Sequence, residues 1–389
     1  MYFRLNPECY FIRGKKCGAI LDLIDERVYA LDQEETEILT SCEKNNPVSK
    51  DIKFLQELKN LRLGNFYPNK IYMQKLKAGS KLMEDQIGNP PKLYRAFLEI
   101  NNSCNNDCWY CGFHGIKRSL SCMGCNKWDE NGINLTPERW KDVIDELRDL
   151  ECKNIFITGG DLTLEWDKTM DIIDYANGKF TNISVTINQR NLSENILKDI
   201  GDKANLVVQT DDLNSIKDMH SNFTYLLVIK PENLEESIID SENIMVDFVI
   251  EKDNLEHILP LISKSDIPSV NVYQFLNNLE YHPCIGNTLT VCHNGDIISC
   301  PTMRNYIFGN VSDVGLYTIF KDKMEKIDEF WKLNLDKIEK CTNCEYRYAC
   351  PDCRSLEESI TGKLNGKTLC RYNPEDGEWI NLEESITCK

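Results

Sequence analysis

The sequence predicts an α/β protein of three parts. An N-terminal strand-and-helix unit spans 1–90, a partial (β/α)6 TIM-like barrel spans 91–280, and a small cysteine-organised domain spans 281–389. Three observations predict it. Apolar runs alternate with helical patterns from about residue 95 onward, and the segment GNPPKLY (88–94) interrupts the chain before them. After about residue 281 the alternation stops, and cysteines, a hairpin and short helices take over.

Residues 1–31 read as short strands, YFRL, CYFIRG, CGAILDLI and RVYAL, separated by NPE, GKK and DE. A helix is expected from Asp32 to about Cys42, with Asp32 as N-cap and Glu35 three residues on. Ser49 could cap a second helix that carries Ile52, Leu55, Leu58 and Leu61. Strands followed by short helices make a winged-helix-like unit. In the barrel, strands are expected at 95–100, 154–158, 182–187, 205–209, 224–229, 244–250 and 269–275. Helical stretches such as 137–150 and 193–200 lie between them. Buried runs separated by helices imply a parallel sheet, and such barrels carry their chemistry at the C-terminal ends of the strands.

The net charge of -17 disfavours phosphate backbones, so no nucleic-acid partner is expected. No apolar run approaches the roughly 20 residues of a membrane span. The start, MYFRLNPECYFIRGKK, lacks the order of a signal peptide, so a cytoplasmic location is expected. In reducing cytosol, 18 cysteines point to metal or catalysis where they are grouped. Cys9, Cys17, Cys42, Cys152 and Cys388 are scattered and read as small buried hydrophobes.

Cys104, Cys108 and Cys111 are spaced C-x3-C-x2-C directly after a predicted strand. Three thiolates can hold a [4Fe–4S] cluster by three irons and leave the fourth open. A zinc site with a fourth ligand elsewhere is the alternative. Strand 154–158 ends in Thr158-Gly159-Gly160-Asp161, where glycines let a ligand approach the backbone. Asn188 and Gln209 stand at the ends of the next two strands. Cys122 and Cys125 form CMGC, open to reading as a zinc half-site, an extra pair of cluster ligands, a substrate-contacting loop or two cysteines near metal by chance. Farther on come Cys284, Gly295 and Cys300 as C-x10-G-x4-C, then Cys341, Cys344, Cys350 and Cys353 as C-x2-C-x5-C-x2-C, and Cys370.

The segment LEINNSCNNDCWYCGF resembles the radical S-adenosylmethionine (SAM) superfamily signature C-x3-C-x-aromatic-C, with Tyr110 in the aromatic slot. TGGD resembles the family's GGE-type motif, with Asp161 in place of Glu. The resemblance implies that Cys104, Cys108 and Cys111 hold a cluster whose open iron binds SAM, and that SAM is cleaved to a 5'-deoxyadenosyl radical. It implies that Gly159, Gly160 and Asp161 meet the SAM amino group. By position, Asn188 and Gln209 could meet its carboxylate or ribose.

The C-terminal cysteines resemble the SPASM domain of radical SAM peptide- and protein-modifying enzymes. One departure is x2 between Cys350 and Cys353, where the general pattern has x3. The resemblance implies two auxiliary [4Fe–4S] clusters, hence three in all. Cys341, Cys344, Cys350 and Cys370 would hold the outer one, and Cys284, Cys300 and Cys353 the inner one. In LTVCHNGDIISC, a two-residue turn at Asn294-Gly295 would set Cys292 opposite Ile297 and on the other face from Cys300. The inner cluster would then have three protein thiolates and an iron free for a substrate cysteine, short of some further ligand.

CEYRYACPDCRS and CRYNPEDGEW resemble the C-terminal region of maturases in the grasp-with-SPASM and related thioether-forming families. The N-terminal unit resembles the peptide-binding element of enzymes that modify ribosomally made peptides. The implied function is modification of a precursor peptide, with an external low-potential electron donor and a cysteine thioether as the expected product. A carbon–carbon crosslink, epimerisation and formylglycine formation use the same parts. A non-catalytic peptide-presenting scaffold and an electron carrier are readings of other classes. No His or Lys stands out as a general base; His282 and His293 flank the inner cysteines.

Overall fold

The computed structural model describes residues 1–76, 93–216, 223–230, 233, 243–250, 267 and 269–379. Of the interruption expected at 88–94, only Leu93 and Tyr94 fall within these residues. Short apolar runs build β1 (Tyr2–Leu5), β2 (Cys9–Arg13), β3 (Gly18–Asp22) and β4 (Arg27–Leu31). β2, β3 and β4 form an antiparallel meander. α1 (Gln33–Glu43) starts at Asp32, whose carboxylate accepts from Glu35 N while the Glu35 carboxylate accepts from Asp32 N.

α2 (Lys53–Asn60) starts at Ile52 with no side-chain cap. Ser49 does not cap it: its hydroxyl accepts from Asp51 N in a turn that ends before the helix begins. β5 (Gly64–Tyr67), which the sequence pattern does not announce, pairs antiparallel with β1. Side chains alternate across β3, so Ile20 joins Leu39, Leu55 and Leu58 in one core. Ala19 and Leu21 face the other way and pack with Leu335, Ile338 and Tyr346 of the C-terminal segment.

The barrel strands are β6 (Arg95–Glu99), β8 (Asn154–Thr158), β9 (Asn182–Asn188), β10 (Asn205–Thr210), β11 (Thr224–Ile229) and β12 (Ile244–Ile250). They lie side by side, all parallel, in chain order. The short β7 (Lys117–Arg118) pairs antiparallel with β12. α3 (Pro137–Asp149), α4 (Trp166–Ala176) and α5 (Glu194–Ile200) are crossovers. Thr136 and Ser193 cap α3 and α5 through the N3 amides, and Pro137 opens α3, where its missing N–H costs nothing. Trp140, Val143, Ile144 and Leu147 form the buried face of α3 against Ile155 and Ile157 of the sheet.

The seventh strand expected at 269–275 is not a strand. α6 (Val272–Glu280) begins there, with Asn271 and Gln274 as a reciprocal capping box. Val272, Phe275, Leu276 and Leu279 recur at i, i+3, i+4 and i+7, a helical period that a window ending at Phe275 cuts short.

β13 (Thr288–Val291), β14 (Asp296–Ile298) and β15 (Ile307–Asn310) follow. β13 runs parallel to β6, so a single ten-stranded sheet continues from the barrel into the cysteine-rich segment. This fixes the start of that segment beside the strand that leads into Cys104. α7 (Leu316–Trp331), α8 (Arg354–Thr361), β16 (Tyr372–Asn373) and β17 (Glu378–Trp379) complete the described chain. No helix among the described residues is long and apolar enough to cross a membrane.

The β13–β14 hairpin differs by one residue from the expected register. Val291 pairs with Ile297 and Thr290 with Ile298. The loop is His293-Asn294-Gly295, closed by Cys292 N to Asp296 O (2.8 Å) and Gly295 N to Cys292 O (2.9 Å). Gly295 takes φ +91° while Asn294 does not take a positive φ, the pattern of a three-residue loop rather than of a two-residue type I′ turn, which needs both. Cys292 therefore stands opposite Asp296, not Ile297.

Candidate active site and cysteine groups

The loop after β6 is clamped to the glycine turn after β8. Gly160 N donates to Asn101 O (3.0 Å), Asp161 N to Ser103 O (2.7 Å), and Asn101 Nδ2 to Asp161 O (3.1 Å). Gly159 has φ +139°, and a Cβ there would collide with Asn101 O; one on Gly160 would collide with Ser103 O. The two glycines are thus required for the contact that positions Cys104. Asn106 N donates to Cys104 Sγ (3.4 Å) and Lys127 N to Cys111 Sγ (3.4 Å). The Arg190 guanidinium lies 3.6 Å from Cys108 Sγ and is held by both oxygens of Asp211 at 3.0 Å. Burial pushes the Cys104 and Cys108 thiols up, and at Cys108 the Tyr110 hydroxyl and Arg190 work against it.

Cys104, Cys108 and Cys111 line one recess of about 320 Å³ together with Tyr110, Gly160, Asp161, Asn188 and Gln209. Gly159, also expected here, is not among the lining residues; it sits in the same turn, and its carbonyl accepts from Asn126 N (2.8 Å). Asn188 Nδ2 donates to the Tyr110 hydroxyl (3.0 Å), and Asn188 Oδ1 accepts from Arg190 N (3.0 Å). Asp161 Oδ1 accepts from Thr163 N (3.0 Å) and Thr163 Oγ1 (2.6 Å). Two buried polar atoms in this recess, Gln209 Oε1 and Asn191 Nδ2, have no protein partner among the described residues. Buried amides are normally paired, so these two await a polar ligand. Three thiols, a carboxylate and unpartnered amides fit an iron–sulfur cluster with SAM. Asn191 had no signal in the sequence beyond its nearness to Asn188.

The CMGC loop crosses the mouth of the sheet. Thr158 Oγ1 donates to Gly124 O (2.9 Å), Thr186 Oγ1 to Met123 O (2.7 Å), and Asn126 Nδ2 to Ser121 O (2.9 Å). At the start of the loop, Asp247 Oδ1 accepts from Leu120 N (2.7 Å), and Arg118 Nε lies 3.5 Å from Asp247 Oδ2, both side chains fully buried. Cys125 lines the recess of Cys104, Cys108 and Cys111, whereas Cys122 does not. Cys122 lines a second recess of about 530 Å³ with Cys284, Cys300 and Cys353.

The remaining cysteines gather apart from these. Cys341, Cys344 and Cys350 are buried in one cluster, and Cys370 packs against it. Between this group and the second recess lies a buried charge knot. Asp352 binds Arg354 through Nη2 (2.6 Å), Lys367 through its ammonium, and His282 Nε2 (2.8 Å). His282 Nδ1 accepts from Cys284 N (3.0 Å) and Ile285 N (3.1 Å), so the ring is the neutral Nε2–H form. Burial lowers the His282 pKa in agreement with that. Neither His282 nor His293 is a surface residue; both are buried. The groups facing Cys292 are Glu99, Arg304, Glu130 and Asp296.

Residues 98–236 match the radical SAM superfamily, and residues 284–345 match the SPASM iron-sulfur cluster-binding domain. A search of curated protein sequences finds no match. Among solved structures, the chain is similar to Streptococcus suis SuiB bound to precursor peptide SuiA, at 15% identity and TM-score 0.46, covering 94% of this chain and 98% of that one. It is also similar to SuiB bound to S-adenosylmethionine (12%, TM-score 0.43, 94% and 98%) and to BtrN in an open conformation (16%, TM-score 0.35, 65% and 93%). Such domains take SAM and iron–sulfur clusters. With the cluster loop, the glycine turn and both matched domains in one chain, the protein is a radical SAM enzyme with a SPASM extension.

Proposed function

We propose that the enzyme modifies a ribosomally made precursor peptide and joins a peptide cysteine to a peptide carbon as a thioether. The observation that carries the reading is the pair of cysteine-lined recesses on either side of the CMGC loop. When bound, SAM and the first cluster supply a carbon-centred radical that takes one hydrogen atom from the substrate. Thioether formation removes a second hydrogen, as a proton from the thiol and an electron that needs an acceptor. Cysteine groups behind the radical site suit that acceptor.

In this reading Cys104, Cys108 and Cys111 hold the first cluster, and Asp161, Asn188, Gln209 and Asn191 orient SAM through its polar groups. Cys284, Cys300 and Cys353 belong to the inner auxiliary cluster, and Cys341, Cys344, Cys350 and Cys370 to the outer one. That makes three [4Fe–4S] clusters, reduced by an external low-potential donor. Tyr110 and the loop 119–126 keep water from the recess. The N-terminal meander, folded against the cysteine-rich segment, supports a role in holding the peptide leader.

A second reading has its own observation. Cys125 is a thiol in the same recess as Cys104, Cys108 and Cys111, where it could return a hydrogen atom to the substrate carbon and invert it. A candidate precursor peptide incubated with enzyme, SAM and reductant in D2O separates the two by mass spectrometry. A loss of about 2 Da with loss of thiol alkylation supports the thioether, because two hydrogens leave. A gain of about 1 Da with the thiol retained supports epimerisation, because an exchanged S–D is delivered. An unchanged peptide beside SAM-dependent 5'-deoxyadenosine would sink the peptide reading and leave the radical assignment standing.

A further inference from the structure

We propose that Cys122, carried on a barrel loop, is the fourth thiolate of the inner auxiliary cluster with Cys284, Cys300 and Cys353, and closes that cluster to substrate. The inference rests on the reading of Cys284, Cys300 and Cys353 as cluster ligands. All four thiols line one recess. Besides burial, the ionisable groups that act most on the Cys122 thiol are those of Cys300, Cys284 and Cys353. Three thiolates leave one iron of a [4Fe–4S] cluster without a protein ligand, and a fourth cysteine satisfies it.

The other candidates in the recess are weaker. The Thr302 and Ser355 hydroxyls bond each other, and Thr302 Oγ1 also lies 3.4 Å from Cys300 Sγ. Cys292 does not line this recess. The CMGC pair does not act as one metal half-site, because its thiols enter different recesses. Gly124 makes this division possible. A Cβ there would meet Gln209 Oε1 and Arg118 Nη2, so without one the turn lies against both side chains as they stand. The backbone on either side is fixed by Thr158 and Thr186 at the ends of β8 and β9.

Two consequences follow. No iron of the inner cluster remains for a substrate cysteine, which leaves that cluster the task of electron transfer. Residues 122–125 also become a four-residue covalent link between the radical recess and the inner cluster, and Cys122 ties the barrel to the SPASM segment.

The test needs no turnover. The Cys104→Ala/Cys108→Ala/Cys111→Ala chain, reconstituted with iron and sulfide, carries only the auxiliary clusters. Its iron and sulfide are counted, and the electron paramagnetic resonance spectrum of the reduced form is recorded with and without cyanide, a small ligand for open iron. The expected parent spectrum does not respond to cyanide. Adding Cys122→Ala yields a cyanide-responsive spectrum or the loss of about four irons per chain. Cys122→Ser, which keeps an oxygen donor, retains iron with a shifted spectrum, and Cys125→Ala matches the parent. A parent that responds to cyanide, or Cys122→Ala and Cys122→Ser spectra identical to the parent, would overturn the proposal. A parent that holds iron for fewer than two clusters overturns the auxiliary-cluster reading itself, and the iron count distinguishes that case.

Discussion

Replacing Asp247 by Asn tests whether a buried charge pair holds the loop that carries Cys122 and Cys125. Arg118 and Asp247 have fully buried side chains, with Nε 3.5 Å from Oδ2. The Arg118 guanidinium also sits 5.3 Å from the centre of the Tyr110 ring, and its Nη2 donates to Asn126 Oδ1 (3.3 Å). Removing one partner of a buried pair costs about 3–5 kcal/mol, because the other charge stays buried and uncompensated. Asn at 247 keeps an oxygen for Leu120 N and Ser119 Oγ, which now bond Oδ1 at 2.7 and 3.1 Å. The cost should therefore sit at the low end, about 3 kcal/mol. At roughly 2 °C per kcal/mol for a large chain, the melting temperature should fall by about 6 °C. Circular dichroism melts of the cluster-free protein, at low and high salt, measure it. A buried pair is little screened, so the drop should persist at high salt. An unchanged melt, or a drop that salt abolishes, would refute the reasoning. The double change Arg118→Met/Asp247→Leu removes both charges and should recover at least half of the loss.

Gly160→Ala should lower 5'-deoxyadenosine formation by about 100-fold, since the new Cβ collides with Ser103 O and displaces the turn against the cluster loop. Gly178→Ala, at φ +77° with nothing within 4 Å, should leave the rate nearly unchanged and serves as the control. Lys367→Met removes a cation that faces Cys341 and Cys350 while Arg354 and His282 still hold Asp352. A redox titration of the outer cluster should then give a more negative midpoint, and a positive shift would count against the assignment. Burial raises the Cys9 and Cys152 thiols to about 12 and Cys42 to about 11. A raised thiol pKa means the neutral form dominates below it, so at pH 8 these three should resist iodoacetamide in the native protein and react after unfolding. Native labelling of Cys152 would contradict the packing around it.

Much of the fold was legible because its signals are local. The six parallel strands, α1 with its Asp32–Glu35 box and the four N-terminal strands each follow from a period or a cap inside one segment. The errors have local causes as well. The stretch 269–275 alternates over too few residues to separate period 2 from 3.6, and Asn271 begins a helix. The hairpin at 293–295 contains Asn-Gly, yet the turn takes one more residue, because Asn294 does not adopt the positive φ that a two-residue type I′ turn needs at both positions. β5 is short and pairs with β1, from which some sixty residues separate it, so no neighbouring pattern marks it.

By itself the sequence determined which residue types exist for the chemistry: three cysteines in a tight loop after a strand, a glycine turn after the next strand, and a spaced cysteine set near the end. Those spacings suffice because ligands within a few residues of each other are held together by the chain itself. The partners of Cys122 and Cys125 were decided by tertiary structure alone. A C-x2-C pair suggests one shared site, but Thr158, Thr186 and Asp247, from three different strands, pull the loop flat and divide its thiols between two recesses. The same holds for Gln209 and Asn191, whose amide atoms Oε1 and Nδ2 are buried by the fold without a partner among the described residues. Contacts between residues 34 to 127 positions apart depend on how the sheet closes, and no local period encodes that.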